Sequence, residues 1–468
     1  MRIPLIGFLF ILASCAVGPD YRRPAVELPG GYALNESSQE PRLQADWWKL
    51  YGDAKLDELV DAALQANADL RQAAARVQEA EGALREANAA FFPDVTAGGG
   101  YTANRFSTRT TPPGTVGGFP AVRGTNAVSI STTYEVDFWG KYARGSEAAR
   151  ANLLASRYAR DLVALTLAGT VAQSYFALRS LDAQNTVLEQ TIRTRSEALE
   201  LARTRLSAGL ASELDVHQAQ AALSDALVQK RDTERQRAVL ERQIAQLTGH
   251  SGLAVGPGDL FKLPVPPTPP AGLPSALLDR RPDVRSAEET LVAANAQIGV
   301  VKSTLFPSIS LTAAAGAQSA ALSNLFSAGA GVWTLGYALA FPIFDAGRRE
   351  ARVEQASARQ QQAVAGYQKA VETAFREVSE GLINVEQSGA TEADLMLRLD
   401  AARKSLELSN ARYEAGYSPF LEVLDAQRTA NDAELAFVRN RQARLAFTVD
   451  LMKALGGGWQ DSAKTARP

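Results

Sequence analysis

Two kinds of hydrophobic pattern alternate along this chain. In one, Leu181, Leu188, Ile192, Leu199 and Leu206 recur at intervals of seven, four, seven and seven. Leu435, Val438, Leu445, Val449 and Met452 repeat the theme near the C-terminus. Apolar positions at heptad spacing predict long helices that pack on neighbours along their whole run. The other pattern has period two. Ile130, Thr132, Tyr134, Val136 and Phe138 fall on one side, with Ser131, Thr133, Glu135 and Asp137 opposite. Trp333, Leu335, Tyr337, Leu339 and Phe341 do the same against Thr334, Gly336, Ala338 and Ala340. Such alternation predicts strands with one apolar face.

The order of these patterns occurs twice. A helix runs to about Phe92 and stops at Pro93, and a second stops at Phe306 and Pro307. Each is followed by two strands, placed at about 94–104 and 126–138, then at about 307–318 and 331–344. Long helices begin near Gly140 and Ala346. Each would run roughly 65 residues, or about 100 Å. Each ends in a related phrase, "RLSAGLASELDVHQAQ" from Arg205 and "RYEAGYSPFLEVLDAQ" from Arg412, about 210 residues apart. Self-similarity at a fixed offset marks a duplicated unit. In each phrase Gly209 or Gly416 suits a helix C-cap. Ser212 or Ser418 suits the start of the next helix, with Pro419 in its first turn. The phrase is therefore the tip of a helical hairpin.

The domain reading follows: 1–14 signal peptide, 15–53 extended strap, 54–249 first repeat, 250–275 Pro- and Gly-rich linker, 276–456 second repeat and 457–468 tail. Arg281-Pro282-Asp283 reads as a helix start. Asn67-Ala68-Asp69 is its counterpart in the first half, and Trp47 and Trp48 read as packing anchors.

Four strands of about ten residues, with Tyr134, Trp333 and Tyr337 on their apolar faces, suit a bilayer. A sheet in lipid must close, and single-chain barrels need at least about eight strands. Several chains must then pool strands, and three would give twelve. The expected fold is mainly α with membrane β: an internally duplicated β-barrel and long α-helical barrel built by a homotrimer.

Composition narrows the function. Lys and Arg total 49 against 51 Asp and Glu, without the basic surplus expected of a nucleic-acid binder. There are two histidines, His217 and His250, in unrelated contexts. No metalloprotease, cysteine-cluster or nucleotide-loop motif appears, so no enzyme, cofactor or metal is expected. After the N-terminal apolar run, no stretch of about 18 uninterrupted apolar residues predicts a membrane helix. The single cysteine, Cys15, follows Leu12-Ala13-Ser14 at the end of that run. This resembles a bacterial lipobox, which implies cleavage before Cys15 and its lipidation. Ala16 rather than Asp at the next position implies the outer membrane by the same resemblance.

Taken in order, Cys15 with Gly18-Pro19-Asp20-Tyr21, Trp47-Trp48, Arg281-Pro282-Asp283-Val284 with "AANAQIG", both Phe-Pro helix ends and both tip phrases resemble the TolC-like outer membrane factors. The resemblance is specifically to their NodT/OprM-like lipoprotein branch. It implies the exit duct of a tripartite efflux machine, spanning the outer membrane and reaching into the periplasm. Implied partners are a periplasmic adaptor and an inner-membrane pump of the resistance-nodulation-division type. By the same resemblance the constriction falls at Leu421, Glu422 and Asp425. Arg412 and Tyr413 lie in the tip network, and Arg205, Gly209 and Gly416 shape the tips where an adaptor docks. Gln218 stands opposite Asp425 in the first copy, so only the second tip supplies that acid. A type I protein-secretion exit, or a lipid-anchored coiled-coil scaffold without a pore, are the alternatives.

Overall fold

The computed structural model describes residues 16–26, 45–105, 107, 122–268 and 277–458. The signal peptide, Cys15 and most of the tail lie outside the described residues. So do residues 27–44 of the strap and parts of the first strand-joining loop and of the linker.

The longer helices of the two halves repeat residue for residue in length. Helix α1 (Ala54–Ala66) leads into α2 (Ala68–Ala89), β1 (Asp94–Arg105), β2 (Val122–Glu135), α3 (Lys141–Ser207) and α4 (Glu213–Leu247). A single helical turn, α5 (Leu277–Arg280), leads into α6 (Pro282–Ser303), β3 (Ser308–Ser319), β4 (Gly331–Ala340), α7 (Arg348–Glu414) and α8 (Phe420–Ala454). Helices α2 and α6 have 22 residues each, α3 and α7 have 67, and α4 and α8 have 35. The chain divides into two compact units, and each draws on both halves of the sequence.

The first unit takes Met1–Pro24, Gln78–Leu154 and Glu288–Ala365, and holds the sheet. Its four strands are antiparallel in the order β1-β2-β3-β4. The central β2–β3 pair joins the two halves of the sequence. The register sets Tyr134 beside Leu311 and Leu311 beside Tyr337. Ile130, Ala315 and Trp333 form the next row but one on that face. Ile130, Leu311, Trp333 and Tyr337 are exposed, Trp333 at 80% and Tyr337 at 81%, and Tyr134 is half-buried. The opposite face carries Thr96, Ser131, Ala314 and Thr334 in one row, with Thr96 and Ser131 hydroxyls 2.9 Å apart. Among the described residues, the outer edges of β1 and β4 have no strand partner.

The strand ends differ from the sequence reading for local reasons. β2 begins at Val122 and stops at Glu135, so Phe138 is not a strand residue. Phe138 instead packs edge-on against Trp139, which stacks on Phe306 at 4.6 Å. Trp139 Nε1 also donates to the Pro307 carbonyl at 2.7 Å. These aromatics turn the corner into α3 while keeping an apparent period of two. β4 ends at Ala340, before Pro342, whose nitrogen cannot donate to a ladder. α2 ends at Ala89 rather than Phe92, because Pro93 bars its predecessor from helical geometry. The intervening amides tighten, with Phe91 and Phe92 donating three residues back. α7 starts at Arg348 rather than Ala346, since Ala346 and Gly347 have φ of 57° and 77°.

The strap residues 16–23 lie on this same unit. Val17 N donates to the Trp139 carbonyl at 3.0 Å, and Asn295 to that of Pro19 at 2.8 Å. Asp20 pairs with Arg144, and Arg23 with Glu288.

The second unit takes Ala25–Val77, Ala155–Ala287 and Gly366–Pro468. Its core gathers Trp47, Tyr51, Leu56, Leu59, Val171, Tyr175, Phe176, Ile244, Leu260, Leu445, Val449 and Met452. Trp47 and Trp48 are packing anchors there. Asp53 caps α1 through the Lys55 and Leu56 amides and accepts from Tyr175 Oη at 2.7 Å. Burial pushes the Tyr175 phenol up to about 12. Asn67 caps α2 the same way, accepting from the Asp69 and Leu70 amides. One helix among the described residues, α3, contains an 18-residue window long and apolar enough to cross a membrane. Half of the window is buried inside the protein, and Leu167, Val171 and Leu178 belong to the core.

The described part of the linker is bound rather than loose. Asp182, 7% exposed, accepts from Arg179 at 2.8 Å, Arg237 at 2.6 Å and the Gly258 amide at 3.0 Å. Arg179 donates to the Gly256 carbonyl, Arg237 to that of Val255 and Arg441 to that of Leu263. The Val255 amide donates to Glu241 at 2.7 Å, which holds that carboxyl below its usual range.

Candidate functional site: the paired helical tips

Both tips close with the same backbone device. Leu210 N donates to the Arg205 carbonyl and Gly209 N to that of Leu206. Tyr417 N donates to Arg412 and Gly416 N to Tyr413 in the same pattern. This is the Schellman ending, and it needs the left-handed φ of 74° at Gly209 and 80° at Gly416. The starts of the return helices differ. Ser212 caps α4 in a reciprocal capping box with Asp215. In the second tip Pro419 occupies the N-cap position, so α8 begins at Phe420, one residue later than the sequence suggests. Ser418 therefore caps nothing, and its buried hydroxyl has no partner.

The two tips are fastened together by Arg205. Its guanidinium lies 4.4 Å above the Tyr413 ring. It donates to the Tyr413 carbonyl at 3.1 Å and the Glu414 carbonyl at 3.0 Å. A cation on the last carbonyls of α7 also complements the helix dipole. Tyr413 is 7% exposed and packs on Phe420 at 5.2 Å. Leu199, Ala202, Ala219 and Val423 complete this small apolar cluster.

Arg412 and Glu422 close the hairpin from the other side at 3.1 Å. Asp425 is not in that network. It pairs with Arg428 at 2.8 Å, and Arg428 also lies 3.5 Å from Asp432. The hydrogen bond to Asp425 raises the Arg428 guanidinium further above its ordinary value. Leu421 stands 62% exposed, as does Tyr417 at 80%. The sequence reading groups Leu421, Glu422 and Asp425 as a constriction and Arg412 and Tyr413 with Arg205 at the tips; the structure pairs Glu422 with Arg412 and Tyr413 with Arg205, and has Leu421 and Asp425 on exposed surface. The sequence reading missed Arg428, which the three-residue spacing from Asp425 on a helix was enough to suggest. No group of three or more metal-ligand side chains is gathered among the described residues.

An antiparallel sheet with an apolar face and two free edges, joined to paired helices of 67 and 35 residues, defines a protomer of an outer-membrane channel. The family model described as outer membrane efflux protein matches residues 59–250 and 273–457, and the chain belongs to that family. The probable efflux pump outer membrane protein TtgC of Pseudomonas putida is 34% identical, over 98% of this chain and 95% of the relative. The cation efflux system protein CusC of Escherichia coli is 32% identical, over 96% and 97%. Among solved structures, the outer-membrane channel OprN superposes with a TM-score of 0.88 at 28% identity, covering 95% of this chain and all of that one. The open state of the MtrE outer membrane channel of Neisseria gonorrhoeae gives 0.84 at 30%, covering 95% and 98%. The family and these neighbours are outer-membrane channels, and the outer membrane is the location of this chain.

Proposed function

We propose that the protein is the exit duct of a tripartite efflux system, passively conducting small molecules to the exterior. Three copies pool twelve strands into one barrel and continue it as a helical barrel in the periplasm. A periplasmic adaptor docks on the tips, and an inner-membrane transporter of the resistance-nodulation-division type supplies the energy. The chain itself makes and breaks no bonds. One observation carries this reading: a sheet with an apolar exposed face and two unpaired edges, in the same chain as two duplicated long hairpins. Such edges are untenable in lipid unless another copy meets them.

The constriction in this reading is formed by Leu421, Glu422 and Asp425, held by Arg205, Tyr413 and Arg412. The Arg205 bonds, which fasten the first tip to the second, and the Arg412–Glu422 pair, which braces the second hairpin across its turn, support that assignment. Lipidation of Cys15 is part of the same proposal. Its neighbour Ala16 lies against Gly140, at the corner where β2 gives way to α3 and Phe138 and Trp139 cluster. An acyl chain starting there would enter the bilayer at the level of the strand ends.

The test is conductance of the purified protein in planar bilayers. Small channels are expected, and Leu421→Ala combined with Asp425→Ala should raise their conductance severalfold. Absence of current from both wild-type and double variant would refute the duct.

A further inference from the structure

A crevice of about 160 Å³ opens between α3, α7 and α8, lined by Thr191, Thr194, Arg195, Gln427 and Asn431 with Arg403 and Glu434 at its rim. It is too small for a drug-sized molecule, whose pockets run to several hundred Å³. It is also polar where a helix seam should be apolar. Arg195, Gln427 and Asn431 are 6%, 6% and 5% exposed.

Their hydrogen bonding is incomplete. Asn431 accepts from the Thr191 hydroxyl at 3.0 Å. Arg195 donates from Nη1 to the Ala222 carbonyl, and its Nε is buried without a partner. Gln427 Oε1 is likewise buried and unpartnered. Among the described residues, the carboxylate that Arg195 pairs with is Asp225, at 3.5 Å and 60% exposed. At the rim, Glu434 is already taken by Arg403 at 2.6 Å, so that pair is neutral. A guanidinium keeps its charge at any physiological pH. A buried charge with weak pairing is costly, and so is an orphaned donor.

We propose that this crevice binds a small monovalent inorganic anion, chloride in the cell. The anion accepts from Arg195 Nε–H and from the amide of Gln427, which turns by half a revolution to present Nε2 in place of Oε1. Bound there, it ties α8, just beyond Asp425, to α3. Water is the competing occupant, and it would need no amide rotation.

Full-length protein crystallised in bromide tests this by anomalous scattering. A bromide peak is expected within hydrogen-bond distance of Arg195 Nε. In solution, exchanging gluconate for chloride at constant ionic strength should raise Tm by about 2 °C or more. Gln427→Glu places a carboxylate where the anion sits. That variant should lose the peak and show a Tm indifferent to chloride, at or above the wild-type value without chloride. Gln427→Leu should lose the peak as well, which preserves the test if the glutamate variant fails to fold. Water density without an anomalous signal overturns the proposal. So does a bromide peak with no chloride-dependent Tm, which would be binding at crystal concentration only, and so does chloride dependence retained in Gln427→Glu.

Discussion

Asp182 illustrates how single residues hold this chain together. A heptad pattern treats it as one polar position among many on α3. In the structure it is the common acceptor for two guanidinium groups and a backbone amide from the segment after α4. Removing the carboxylate would strand two largely buried cations, a loss of about 3–5 kcal/mol for pairs of this kind. Asp182→Ala should therefore lower Tm markedly and expose residues 251–263 to early proteolysis. Asp232→Ala, at an exposed pair with Arg235, should change neither. An unchanged cleavage pattern in Asp182→Ala would contradict this account of the anchor. None of this was readable beforehand. A stretch rich in Pro and Gly reads as a tether, and sequence spacing gives no sign that arginines from three helices reach for its carbonyls. The tip was more legible, because Gly209 and Gly416 announce themselves within a repeated phrase. Ser418 misled, since the residue before Pro419 looked like a cap while Pro419 itself took that position.

Periodicity located the elements and failed at their ends. The alternation through Phe138 and Phe341 is real in the sequence, yet both residues lie past the last ladder position. Aromatics that pack a corner and aromatics that face lipid have the same composition, so only the hydrogen bonds separate them. Register, by contrast, is fixed by the faces: a one-residue slip would turn Trp333, Leu335, Tyr337 and Leu339 to the other side of the sheet. The two faces of β4 should accordingly respond differently to charge. Leu335→Lys, on the apolar face near the strand's middle, should cost roughly 2–4 kcal/mol if that face meets acyl chains. The readout is a sharp drop in folded protein recovered from outer membranes. Ala338→Lys, on the opposite face, should be recovered at near wild-type yield. Equal recovery of both variants would mean that neither face of β4 contacts lipid.

At the scale of the whole molecule, duplication explains why one chain is not enough. Matching the two halves residue for residue gives helices of 67 and 35 residues twice, but only two strands per half. The sheet joins the halves through β2 and β3, which spends one pair of edges and leaves the outer edges of β1 and β4 to be met from outside. A β1 edge meeting a β4 edge is a heterologous contact, and repeating it around an axis closes a ring. Apolar side chains on the long helices also stand exposed in one chain, among them Val228, Val239, Leu397 and Leu408, and closure of the ring would give such surface a partner. Native mass spectrometry of the detergent-purified protein should therefore report three chains. Lysine in place of both Val228 and Val239 should weaken that assembly without unfolding the chain, since neither side chain belongs to the buried core. A folded single-chain species from the wild-type protein, stable on dilution in mild detergent, would show that the free edges and exposed helix faces are satisfied without other copies. The pooled barrel, and the duct with it, would then have to be given up.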